Sequence, residues 1–305
     1  PERRRAIARW YHQRFGVTLD PDTEVLPLIG AKEGIGHMAL CFIDPGDIAL
    51  VPDPGYPVYS VGTMFAGGDS YSMPLLEENG WLPNLEAIPT DVARKAKVMW
   101  LNYPNNPTAA VADLDYFRQV VAFAKEYDIA VCHDAPYTEV AYDGYRPPSL
   151  MQVPGAMDVG LEFHSLSKSY NMTGWRLGWM VLPEDLLRAV ECLTQNLFIS
   201  PPTLSQHAGI KVFDCRDELD ANVSRYAENR ALLLEQLPKA GFETLAAAIA
   251  AMVARIPIGH IAGGHLGQGT IDEAMRHSIT KMSHLHFASR AEHRDRIVQL
   301  GEQPD

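Results

Sequence analysis

Gly160-Leu161-Glu162-Phe163-His164-Ser165-Leu166-Ser167-Lys168 sets a short, largely apolar run directly before two serines and a lysine. Residues 160–163 have the length and bounds of a buried strand, with the polar residues just past its carboxyl end. Runs of the same kind occur at 48–51, 98–101, 129–132 and 177–181. Between them lie segments of helical length and period, such as 114–127. This alternation predicts an α/β fold, a three-layer sandwich around a mostly parallel sheet. A ligand site in that architecture lies beyond the carboxyl ends of the strands. The residues to weigh are therefore those at 53–56, 102–106, 134–137 and 165–168.

Bulk properties narrow the function. With 305 residues and 47% hydrophobic content, the chain can build one large or two ordinary domains. A net charge of -12 argues against a nucleic-acid partner, which needs a basic stripe. The four cysteines, Cys41, Cys132, Cys192 and Cys215, form no close pair, and reduced thiols suit a cytoplasmic protein. No apolar run is long enough to span a membrane, and no apolar signal region follows Pro1-Glu2-Arg3-Arg4-Arg5. The chain opens without Met inside a helical pattern carrying Ile7, Trp10, Tyr11 and Phe15, which reads as a truncated start.

The strand ends carry compatible chemistry. Lys168 has an amine able to form an imine with an aldehyde, while Ser165, Ser167 and Arg176 could hold a phosphate beside it. Alone, Ser-x-Ser-Lys also fits a surface lysine. Asp134, in Asp134-Ala135-Pro136-Tyr137, could pair with a protonated pyridine nitrogen, with Tyr137 reaching a ring hydroxyl; a cap or turn aspartate is the bland alternative. Asn102-Tyr103-Pro104-Asn105-Asn106-Pro107-Thr108 makes a rigid turn in which Asn106 could bond the same ring oxygen. Gly30-Ala31-Lys32-Glu33 opens a helix with free N–H groups suited to an anion, or simply starts a tight helix. In Pro52-Asp53-Pro54-Gly55-Tyr56-Pro57-Val58-Tyr59, Tyr56 could stack on a flat cofactor or serve as a core tyrosine.

These motifs, in this order, resemble the class I/II aminotransferases of fold-type I over residues 1–242, most closely the LL-diaminopimelate, alanine and aspartate branch. The resemblance implies transfer of an amino group between an amino acid and a 2-oxo acid, with pyridoxal 5'-phosphate (PLP) as cofactor and a homodimer when full length. It makes Lys168 the Schiff-base lysine, which also moves the proton from the substrate α-carbon, and pairs Asp134 with the pyridine nitrogen. Asn106 and Tyr137 then hold the ring oxygen, Tyr56 stacks, and Ala31 and Lys32 amides with Ser165 and Arg176 hold the phosphate. Ala109 stands where that family usually has glycine, which implies a mildly altered turn.

After Phe242 the pattern ends, and no Arg-Phe-Ser-like strand supplies the arginine that the family's small domain offers a substrate carboxylate. The last 60 residues or so instead resemble a strand, glycine loop and helix of the UDP-N-acetylglucosamine 2-epimerases, with Glu273 matching one of their acidic residues. Ala262 stands where many members carry a glutamate. The spacing of His260, His265, His277, His284 and His286 fits no usual zinc set, so no metal is expected. Residues 245–254 and 271–282 read as helices and 256–261 as a strand. The domain division expected is thus 1–242, a large PLP-binding domain, and 243–305, an epimerase-like fragment replacing the small domain. The alternatives to an aminotransferase are an epimerase fragment and an inactive PLP-binding fragment.

Overall fold

The computed structural model describes residues 1–197, 200–239, 259–261 and 285–287. The expected tail helices at 245–254 and 271–282 lie outside the described residues, as do residues 256–258 of the expected 256–261 strand. Helices α1 (Glu2–Phe15), α2 (Ala31–Phe42), α3 (Val58–Phe65), α4 (Thr90–Ala93) and α5 (Leu114–Tyr127) belong to the first half of the chain. Then come α6 (Leu166–Ser169), α7 (Glu184–Leu197), α8 (Thr203–Lys211) and α9 (Arg216–Lys239). The strands are β1 (Val25–Leu28), β2 (Ile48–Asp53), β3 (Asp69–Pro74), β4 (Ala96–Leu101), β5 (Ala130–Asp134), β6 (Gly160–Ser165) and β7 (Gly178–Val181). Two short strands follow, β8 (Gly259–Ile261) and β9 (Leu285–Phe287). Contacts divide the chain into two units, Pro1–Arg225 and Tyr226–Asp305. In the second unit β8 and β9 pair in parallel, Gly259 opposite Leu285.

The first unit holds a seven-stranded sheet ordered β1-β7-β6-β5-β4-β2-β3. Among these strands only β7 runs against its neighbours, β6 and β1; the pairs from β3 through β2, β4 and β5 to β6 are parallel. The sheet is the mostly parallel one expected.

Strand alternation sends successive side chains to opposite faces. In β4, Met99 and Leu101 enter one apolar cluster with Ile7, Tyr11, Phe117 and Leu150. Val98 and Trp100 enter the other, with Tyr59, Cys132, Phe163 and Met180. Helix α5 shows why such segments are helical: Tyr116, Phe117, Val120, Val121 and Ala124 form one buried stripe. The Asp113 side chain caps its start by accepting from the Tyr116 amide at 2.8 Å, and Asp128 ends it in the left-handed conformation at φ 58°. Among the described residues no helix is long and apolar enough to cross a membrane.

The turn after β4 survives the alanine noted in the sequence. The Ala109 amide donates to the Asn105 carbonyl at 2.9 Å, and the Asn105 amide to Ala110 at 2.8 Å. Holding that turn puts Ala109 at φ 59°, a left-handed conformation that costs an L-residue roughly 1–2 kcal/mol. Glycine escapes this cost but loses more backbone entropy on folding, a partial offset. Ala109→Gly should therefore stabilise the chain by about 1 kcal/mol in urea denaturation; a loss of stability would show that the alanine is unstrained.

Candidate active site

The sheet order reverses direction beside β2: the chain moves outward to β3, then returns to place β4 on the other side. A crevice opens where such neighbouring connections diverge, at the carboxyl ends of the strands. Because β7 is antiparallel, its amino end lies on this same rim, which is how Arg176, two residues before it, joins residues that follow β2, β4, β5 and β6. A cavity of about 430 Å³ occupies the rim. Ala31, Lys32, Tyr56, Asn106, Asp134, Tyr137, Ser165, Lys168 and Arg176 all line it, so every site residue singled out in the sequence is brought together.

Asp134 ends β5 and is 6% exposed. Tyr59 Oη donates to its Oδ2 at 2.8 Å, and Asn102 Nδ2 donates to its backbone carbonyl at 2.7 Å. The other carboxylate oxygen, Oδ1, is buried and has no hydrogen-bond partner among the described residues. Burial raises the Asp134 carboxyl to about 6, against the opposing pull of the Tyr59 hydrogen bond and the charge of His133. Tyr59 is itself fixed by stacking on Trp100, with ring centroids 4.6 Å apart. Neither Tyr59 nor Asn102 was assigned a role in the sequence. Tyr59 stands three residues after Tyr56 at a helix start, a spacing that sends both to one side.

Asn106 Nδ2 donates to Tyr137 Oη at 3.1 Å, so the two side chains expected to share one ring oxygen already meet. The Asn106 amide donates to Asn102 Oδ1 at 2.9 Å, tying this loop to the residue that anchors Asp134. Tyr56 is 38% exposed, edge-on to Tyr59 at 5.7 Å, and Lys32 Nζ lies 5.7 Å from its ring centroid. Lys168, in the single-turn α6, places its Nζ 5.8 Å from the Tyr137 ring centroid. Ser165 caps that turn, its Oγ accepting from the Ser167 amide at 3.1 Å.

At the far end of the cavity lies an anion cradle. Helix α2 starts at Gly30, φ 76°, with no side-chain cap, leaving first-turn N–H groups available. A side chain at Gly30 would meet Arg176 Nη2 at 2.7 Å, so the guanidinium closes directly over the helix start. Gly178 permits β7 to approach as well: a Cβ there would lie 2.5 Å from the Ala31 nitrogen. Arg176 holds this place from a left-handed backbone, φ 52°, and donates Nη1–H to the Thr173 carbonyl at 3.3 Å. Backbone donors and a guanidinium fork together suit a phosphate.

The sequence profile of the family Aminotransferase class I and II matches residues 1–261. This chain belongs to the class I and II aminotransferases. The chain is 55% identical over 243 residues to an LL-diaminopimelate aminotransferase of Moorella thermoacetica, covering 79% of this chain and 61% of that protein. It is 52% identical over 247 residues to an LL-diaminopimelate aminotransferase of Dehalococcoides mccartyi, covering 81% and 64%. Among solved structures, a probable N-succinyldiaminopimelate aminotransferase from Thermus thermophilus superposes with TM-score 0.73 at 37% identity, over 78% of this chain and 64% of that one. An aminotransferase from Staphylococcus aureus gives TM-score 0.73 at 33% identity, over 79% and 64%. The chain thus spans about three fifths of the length of the curated relatives it matches. A second profile, UDP-N-acetylglucosamine 2-epimerase, matches residues 241–305.

Aminotransferases of this family depend on PLP. The residues present fit that group: an unsatisfied buried carboxylate oxygen for its ring nitrogen, an Asn–Tyr pair, a lysine, and a helix start under an arginine fork. The carboxylate has a measurable cost without its partner. Its rise from an ordinary 3.8 to about 6 means the folded chain binds the proton more tightly than the unfolded one. Stability contributed by the protonated form is then lost as pH climbs from about 4 to about 6, a loss on the order of 3 kcal/mol. Asp134→Asn should match the parent chain near pH 4 without PLP and exceed its stability above pH 7, in parallel urea titrations. Equal stability at both pH values would show that Asp134 is not destabilised when ionised.

Proposed function

We propose that this chain is the PLP-binding part of an aminotransferase that moves an amino group between an amino acid and a 2-oxo acid. One observation carries the reading: a buried Asp134 with an unsatisfied oxygen lines the same cavity as Lys168 and the Gly30–Arg176 cradle. When bound, PLP supplies an aldehyde carbon and a ring that accepts electrons from the substrate α-carbon. In this reading Asp134 Oδ1 takes the hydrogen bond of the ring nitrogen and keeps that nitrogen protonated, held in place by Tyr59 and Asn102. Asn106 and Tyr137 hold the ring oxygen, and Tyr56 lies against the ring face. The Ala31 and Lys32 amides, Ser165 and Arg176 bind the phosphate. Lys168 Nζ would be the amine that holds the aldehyde carbon and the base that moves the proton at the substrate α-carbon.

The amino donor we propose is LL-diaminopimelate or a close relative, on the likeness to proteins of that name, which puts the chain in amino-acid biosynthesis. A cytoplasmic homodimer is the proposed setting. Free thiols at Cys41, Cys132, Cys192 and Cys215 support a reducing compartment. The exposed α3 side chains Met64, 61%, and Phe65, 74%, support burial against a second copy. The proposed domain division is a large PLP-binding domain over 1–242 and an epimerase-like segment over 243–305; the start of the epimerase profile at 241 supports it, although the aminotransferase profile runs on to 261. The epimerase profile covers 241–305, and none of the residues that line the cavity falls in it.

Borohydride reduction of the PLP-loaded chain should leave the cofactor on Lys168; a peptide map showing it on Lys32 or Lys211 instead would overturn the assignment. Release of 2-oxo acid from LL-diaminopimelate separates an active enzyme from a chain that only binds PLP. Arg176→Lys replaces a planar fork by a point charge, so PLP should dissociate about tenfold more readily, equivalent to about 1.4 kcal/mol. An unchanged PLP dissociation constant in fluorescence titration would remove Arg176 from the cradle.

A further inference from the structure

The most fully satisfied carboxylate among the described residues lies behind the site, on the opposite face of the sheet. Glu162 of β6 is 0% exposed and stands opposite His133 of β5 in the parallel register. Its Oε1 accepts from Tyr11 Oη, from Ser149 Oγ at 2.8 Å and from His164 Nε2 at 2.8 Å. Its Oε2 accepts from the Leu150 amide at 2.7 Å and faces His133 Nδ1 at 2.9 Å. Burial works against ionisation of Glu162, but the hydrogen bonds and charge of His133 and His164 outweigh it and hold the carboxyl well below the usual range. His133, also 0% exposed, presents its other ring nitrogen, Nε2, to the Tyr103 backbone carbonyl at 3.1 Å.

A backbone carbonyl can only accept, and so can an ionised carboxylate. Either neutral tautomer of His133 would set one ring lone pair against an acceptor, an unmet contact in a dry interior. The imidazolium satisfies both. The groups facing it are Glu162 from β6, the Tyr103 carbonyl after β4, and the edge of Phe117 from α5, with ring centroids 5.0 Å apart. Asp134 is its neighbour in β5, while Tyr11 and His164 bear on it through Glu162.

We propose that His133 is a buried imidazolium and a positioning residue, clasping the Tyr103 carbonyl and setting the charge of Asp134 from behind the sheet. Two links run from it to the cavity. The first is mechanical: Tyr103 lies between Asn102, which holds the Asp134 carbonyl, and Asn106, which meets Tyr137. The second is electrostatic: the His133 charge counters the burial that raises Asp134. An ionised Asp134 is what a protonated ring nitrogen requires, and in that respect alone the inference rests on the proposed function.

The test uses the whole chain without PLP, labelled with 15N in histidine rings and 13C in aspartate carboxyls. The His133 signal, assigned by its loss in His133→Gln, should show both ring nitrogens protonated at pH 7. A neutral ring, its proton partner being a protonated Glu162, would overturn the proposal. His133→Gln keeps a hydrogen-bond donor but no charge, so the Asp134 carboxyl, assigned with Asp134→Asn, should titrate at higher pH than in the parent. An unmoved Asp134 midpoint in a folded His133→Gln would reduce His133 to a packing role. If that variant does not fold, the ring protonation of the parent chain decides alone. Borohydride labelling of Lys168 reports separately on the cofactor assignment, so a failed label with a charged His133 sinks the proposed function and leaves this inference standing.

Discussion

A buried carboxylate must be surrounded by donors or it will not stay buried in its charged form, and Glu162 meets that demand with side chains from four parts of the chain. Tyr11 comes from α1, Ser149 and the Leu150 amide from the segment before β6, His133 from β5 and His164 from β6 itself. Slipping β6 by one residue against β5 would turn Glu162 to the other face, where Trp100, Tyr59 and Phe163 offer apolar contact instead. The charge therefore holds the register of the two strands whose ends carry Asp134 and Lys168. Around it the aromatic side chains close ranks: His164 stacks on Trp179 with centroids 5.2 Å apart, and Trp10 packs edge-on to both.

The two faces of the sheet divide the labour. One face carries a satisfied charge inside a large apolar cluster, and contributes rigidity. The other ends in a carboxylate with one oxygen left over, and contributes affinity for a cation. Residues adjacent in β5, His133 and Asp134, belong to opposite sides of this arrangement because a strand alternates its side chains. The site is thus less stable than its support, which is the usual relation between a binding residue and the scaffold beneath it.

Much of this was legible in the sequence because it was local. The runs at 48–51, 98–101, 129–132, 160–163 and 177–181 became β2, β4, β5, β6 and β7, each within a few residues, since a strand buried on both faces needs an unbroken apolar run. Helix α5 was equally plain from its stripe. Strands β1 and β3 escaped notice: β1 has four residues and a proline, and β3 is an edge strand with exposed Asp69, Ser70 and Ser72. Edge strands carry polar residues, so their pattern fades. At the site, the residues grouped by motif met as expected, but Tyr59 and Asn102 took hold of Asp134 across 75 and 32 residues of sequence. Such partnerships depend on the sheet order, which no local pattern states. The same holds for Glu162, which reads in sequence as one polar residue in a buried strand.

The single antiparallel strand has an architectural consequence. Ser165 and Gly178 face one another across the β6–β7 pair, and the Leu166 amide donates to the Leu177 carbonyl at 3.1 Å. The chain between them leaves the rim and comes back to the point of departure, carrying Lys168 and Arg176 on the way. Its two stems are paired, so the stretch that carries the lysine and the arginine leaves and rejoins the sheet at one point. A scaffold offering two such stems at the same separation could receive the stretch whole, amine and guanidinium together.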